Sequence, residues 1–190
     1  FYAQAVAAYT QGIQRAEATG ESPTVTALLY SRLAGLYRSQ ILADEEMSPQ
    51  YAALTVSATE SSLALLPAES TLRPELVQWQ SEGLYSLLQN AQRQRKWSDG
   101  LAYIERLREL APDSANPVVN AQRLEAIGQI LLVQEAMELL ESGNKEAATS
   151  LAGIDISSAD LQPADGERSL FFQWHITATV QADATVLNLQ

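Results

Sequence analysis

The stretch Lys96–Asp113, KWSDGLAYIERLRELAPD, decides how the rest of the chain is read. Trp97, Gly100, Leu101, Ile104 and Leu107 recur at intervals of three and four, which places them on one face of a helix. That face stops before Pro112, where a helix cannot continue. The basic tip Gln92–Trp97, QRQRKW, joins it to a longer helix carrying Trp79, Gly83, Leu84, Leu87, Leu88 and Ala91. Two helices joined in this way form a hairpin, and one hairpin cannot bury both of its faces alone.

Towards the N-terminus the same alternation repeats. Tyr2, Ala5, Tyr9, Gly12, Ile13 and Ala16 share one helix face, and EATGESP (Glu17–Pro23) breaks it. Tyr30, Leu33, Ala34 and Tyr37 fall at i, i+3, i+4 and i+7 of a second helix, with Ala34 small enough for a neighbour to approach closely. The acidic loop DEEMSP (Asp44–Pro49) precedes a helix running to about Leu66, with Ser48 as N-cap and Pro49 in its first turn. Pro67–Pro74 is a linker. Beyond the turn APDSANP (Ala111–Pro117), a helix starting at Pro117 is expected to reach about Glu141. Gly143-Asn144 suits a left-handed C-terminal cap, and a short helix over Lys145–Ala152 follows.

These residues resemble the tetratricopeptide family. Tyr30–Leu33–Ala34–Tyr37 looks like the family's first-helix pattern, while Tyr2–Ala5–Tyr9–Gly12 and Trp97–Gly100–Ile104–Leu107–Pro112 look like its second-helix pattern. Gly143, Ala148 and Ala152 give a weaker match. The resemblance implies an all-α helical-hairpin repeat solenoid, a right-handed superhelix whose small positions accept the large residues of partner helices. It covers nearly the whole chain. The spacing departs from the family's repeat length at DEEMSP and at the long helices near Glu75 and Pro117. No functional residue is carried over: the family's peptide-carboxylate clamp needs Asn and Lys on successive first helices, and only Asn90 is available. Residues 1–190 are read as a single helical-repeat array. The start at Phe1 without Met leads us to expect a fragment of a longer protein.

The C-terminal stretch is ambiguous. Phe172, Trp174, Ile176, Ala178 and Val180 alternate with polar residues, as in a strand. Against that, Phe171-Phe172-Gln173-Trp174 followed by Ala178 echoes Leu76-Val77-Gln78-Trp79 followed by Gly83. A helix is favoured here, because a lone strand would have no sheet to join; a short β segment is the alternative.

Composition narrows function. The 190 residues carry 46% hydrophobic and 18% charged side chains, enough to build a core. The net charge of −11 opposes general binding of nucleic acid. No cysteine and a single histidine, His175, leave no disulfide, no thiolate nucleophile and no His/Cys metal cluster. No stretch approaches a membrane span. His175 has no nearby nucleophile motif, and Asp44, Glu45 and Glu46 lack the alternation and glycine of a calcium loop. Glu135, Glu138 and Glu141 read as a wet helix face. The three tryptophans, Trp79, Trp97 and Trp174, read as packing residues rather than ligand platforms. No enzyme activity, metal or cofactor is expected.

One charged feature stands out. Arg93, Arg95, Lys96, Arg106 and Arg108 hold five of the chain's twelve positive charges within sixteen residues. Helix-end compensation is the simpler reading, and Arg106 and Arg108 have Glu105, Glu109 and Asp113 nearby. The alternative is an anionic docking patch. A scaffold holding a protein or peptide partner on a concave face is the leading function. In the family register Arg32, Arg38, Tyr85, Gln89 and Arg93 would point inward, with Arg95 beside them. The second reading is a structural spacer in a bacterial envelope assembly, such as polysaccharide export or cell-wall synthesis. Cysteine-free, Ala/Gln/Leu-rich solenoids are common there, and this reading leans towards a soluble protein in the periplasm.

Overall fold

The computed structural model describes residues 1–41, 43, 48–112, 120–152, 177–179 and 186–188. Its helices are α1 (Tyr2–Thr19), α2 (Pro23–Ile41), α3 (Ser48–Leu65), α4 (Arg73–Arg93), α5 (Trp97–Leu110), α6 (Ala121–Glu141) and α7 (Lys145–Ala152). Two short strands follow, β1 (Thr177–Thr179) and β2 (Val186–Asn188). The chain divides into two compact units, Phe1–Gly128 and Gln129–Gln190. The break falls inside α6, where no linker composition announces it.

Local chemistry sets the helix ends. At the end of α1, Gly20 takes a left-handed conformation (φ 67°). Its N–H donates to the Glu17 carbonyl while the Glu21 N–H donates to that of Ala16, so two carbonyls that lack helical partners are satisfied. The end of α6 repeats this, with Gly143 and Asn144 donating to Leu140 and Leu139. So does the end of α4, where the left-handed residue is Arg95 (φ 55°). There Arg95 donates to Gln92 and Lys96 to Ala91. Pro74 lies in the first turn of α4, where its missing N–H costs nothing.

In the first unit each helix packs on the next, from α1 to α5, and α2 also meets α4. Helices two apart are joined by specific side chains. Tyr2 of α1 and Tyr51 of α3 meet edge to face with ring centroids 6.0 Å apart. Arg106 of α5 pairs with Glu60 of α3. The Trp79 ring of α4 lies across Gly35 of α2. The core is aliphatic: Leu76, Leu84, Leu88, Ile104 and Leu107 are almost wholly buried, and Ala27, Ala34 and Ala52 are fully so.

Hydroxyl groups line the interior beside these aliphatics. Thr55, Thr59, Ser62 and Ser81 have no exposed surface. Thr59 donates to the Val56 carbonyl at 2.8 Å, one turn back on its own helix. Ser62 donates across to the Ala27 carbonyl of α2 at 2.8 Å. Satisfied in this way, these hydroxyls let α2, α3 and α4 pack closely without being left unpaired themselves.

The C-terminal strands correct one expectation. The helix expected through Ala178 is not what forms there: Ala178 sits in β1, opposite Leu187 in an antiparallel pair. Val186–Asn188 supplies the partner that the argument against a lone strand lacked. Phe171–Ile176, with Trp174 and His175, lie outside the described residues, as do Asp44–Glu46 and residues 113–119 at the expected start of α6.

Candidate functional site

A half-open pocket of about 420 Å³ lies along α2, between Tyr9 of α1 and the N-terminal half of α4. Leu28, Ser31, Arg32, Gly35 and Leu36 form its floor on α2. Leu72, Glu75, Leu76 and Trp79 form the facing wall. The helical repeat explains both rows: Leu28, Arg32 and Leu36 are four residues apart, and Leu72, Glu75, Leu76 and Trp79 follow spacings of three and four. Leu72 and Trp79 also pack against the buried cluster of Ala27, Leu66 and Leu76, so this wall is anchored in the core.

Trp79 is the best-placed side chain of the site. A methyl group added to Gly35 would sit 3.3 Å from its ring, so the absence of a side chain at Gly35 allows the indole to lie on α2. Arg38 stands over the ring at 5.5 Å, within cation–π range. The same guanidinium reaches Glu82 of α4, with Nε 2.5 Å from Oε2 and Nη2 3.3 Å from Oε1. Gln78 donates to Glu82 Oε1 at 3.1 Å and steadies the carboxylate. This cross-link braces α2 against α4 next to the pocket.

Two further charges stand inside the pocket. Arg32 and Glu75 both line it and both are exposed. Among the described residues neither has an ion-pair or hydrogen-bond partner, in contrast to Arg38 and Glu82 farther along the same helices. The walls are apolar, and Leu28 is exposed to 40%. The arrangement suits an apolar group flanked by charges; it offers no nucleophile with an adjacent base.

The residues singled out from the sequence scatter. Arg32 lines the pocket, and Arg38 stands at its edge but is occupied by Glu82. Tyr85 is half-buried, and Gln89, Arg93 and Arg95 are exposed on and beyond the C-terminal half of α4, outside the pocket lining. Arg93 lies eleven residues past Glu82, roughly 17 Å along a helix, so Arg38 and Arg93 do not form one patch. The basic cluster also divides. Arg106 is paired with Glu60, and Arg108 with Glu105 at 2.6 Å and Glu125 at 2.5 Å. Arg95 closes α4 through its backbone.

Sequence reasoning missed Leu28, Leu36, Leu72 and Glu75. The available signal was a second apolar row on α2, at Leu28 and Leu36, off the face that carries Leu33 and Ala34. Trp79, read as a packing residue, both packs and lines the pocket.

Among the described residues, no three Asp, Glu or His side chains come together in a way that could hold a metal ion. No helix among them is long and apolar enough to cross a membrane. Comparison with protein-family models, with curated proteins and with solved structures gives no match to the chain.

Proposed function

We propose that the chain is a protein-interaction scaffold of the tetratricopeptide type, and that it holds a segment of a partner protein in the groove between α2 and α4. The observation that carries this reading is the pocket: an exposed leucine, Leu28, an aromatic wall fixed to the core, and two charges without partners among the described residues. A surface of this kind costs free energy if left in water, and apolar pockets with a few convergent polar groups are the usual form of a binding site. Tyr30–Leu33–Ala34–Tyr37 on α2 and Trp79 with Gly83 on α4 match first-helix positions of the family. In that register α2 and α4 are the first helices of successive repeats, and their shared groove is the concave surface. The chain acts by holding and not by catalysis.

The test is site-specific photo-crosslinking in cells that produce the chain. A photoreactive residue at Leu28 should trap a discrete partner, and the same residue at exposed Ser57 on α3 should not. Equal trapping from both positions, or none from Leu28, counts against the groove. The second outcome would favour a structural spacer, whose work does not need an occupied groove.

A further inference from the structure

The charges in the pocket say more about the occupant than its apolar walls do. Arg38 and Glu82 project from α2 and α4 and meet, whereas Arg32 and Glu75, projecting from the same two helices into the pocket, do not. Both line it together with Leu28, Leu36 and Trp79. An opposite-charge pair that lines one apolar pocket without meeting is electrostatically unfinished: each charge attracts a counter-charge, and the apolar lining attracts a hydrocarbon group.

Resting on the reading of this groove as a binding surface, we infer that its occupant is a dipolar partner segment: an apolar side chain seated against Trp79 and Leu28, a carboxylate on the side of Arg32, and a Lys or Arg on the side of Glu75. The alternatives fit less well. A purely acidic segment would meet Glu75 and the −11 charge of the whole chain. A purely basic segment would be drawn by that overall charge but would place a like charge against Arg32. The dipolar segment satisfies both ends and fixes its own direction along the groove, because reversal would set like charges against each other. The volume of about 420 Å³ accommodates a large side chain with its flanking backbone.

The experiment is selection of a random peptide library displayed on phage, run in parallel against the wild-type chain and against the doubly exchanged Arg32→Glu, Glu75→Arg chain. Both positions are exposed, so both proteins should fold, and circular dichroism checks that they do. Peptides enriched on the wild type should carry an apolar residue with an acid on one side and a base on the other. On the exchanged chain the order of the charges should reverse. Arg32→Glu alone should weaken a synthetic copy of the best peptide about tenfold, the scale of one charge-assisted hydrogen bond. Leu28→Asp, with Leu28→Ser as the milder variant, should weaken it on either background. Peptides that need Leu28 but show the same charge pattern on both chains would overturn the dipolar inference and leave the groove standing. Peptides indifferent to Leu28, or no enrichment at all, would overturn both.

Discussion

Gly83 of α4 lies so close to Val56 of α3 that a methyl group on it would fall 2.8 Å from Val56 Cγ2 and 3.1 Å from the Ala52 carbonyl oxygen. Helix propensity alone favours alanine over glycine by about 1 kcal/mol. Here the overlap should outweigh it, because overpacking a rigid contact costs about 1–3 kcal/mol and one obstructing atom belongs to the backbone. Gly83→Ala should therefore lower stability in urea unfolding. Gly12→Ala is the internal control: its methyl group would meet Leu29 Cδ1 at an ordinary 3.5 Å, and it should raise stability.

Arg95 occupies the left-handed position that ends α4, with φ 55°. A side chain in this conformation costs about 1–2 kcal/mol, and glycine avoids most of that cost. Arg95→Gly should stabilise the chain by about 0.5–1 kcal/mol, whereas Gly20→Ala, at the equivalent end of α1, should destabilise it by a similar amount. Thermal unfolding of the two variants reads opposite signs. The result also separates the backbone role of Arg95 from the binding role expected for it from the sequence.

The Arg38–Glu82 bridge has side chains exposed to 41% and 30%, so solvent screens much of its attraction. Its fork geometry and its stacking on Trp79 leave a contribution of about 1 kcal/mol for Arg38→Ala to remove. Arg38→Lys should recover only part of the loss, since an ammonium group cannot reproduce both contacts. The ionic share should shrink as salt rises, which denaturation at two ionic strengths measures.

Burial raises the pKa of Tyr30, and a hydrogen bond donated to Glu17 Oε1 at 2.9 Å raises it further. Burial also raises Tyr2 and Tyr37. Each folded phenol holds its proton above the ordinary pKa of 10.0, so their stabilising effect is complete below that value. It is lost as pH rises through the raised folded values, because the unfolded chain releases its protons first. Stability should fall above about pH 10, and Tyr30→Phe should make the fall shallower. Unfolding curves at successive alkaline pH values test both statements.

The helices were legible where period and punctuation agreed. In the second unit Lys145–Ala152 forms as read, and in the first α5 spans Trp97–Leu110 as KWSDGLAYIERLREL announces. Ala34, expected at a close approach, is fully buried. Pairing was legible only within a helix: Arg108 with Glu105 is three residues apart, but Arg106 with Glu60 is forty-six apart and follows from how α5 lies on α3. For the same reason the pocket was half visible. Arg32 could be placed, but Glu75 and Leu72 join it only through the packing of α4 on α2. At the C-terminus Thr177–Thr179 pairs with Val186–Asn188, a partner outside the alternating stretch that no local spacing shows.

The groove between α2 and α4 is the surface proposed to hold a partner. Hydrogen–deuterium exchange of the wild-type chain, with and without a saturating peptide selected on it, tests this most directly. Slower exchange should concentrate in residues 28–36 and 72–79, with α3 and α5 unchanged. Protection confined to α3, α5 or the Arg93–Lys96 tip would contradict it and place the binding surface on another face of the first unit.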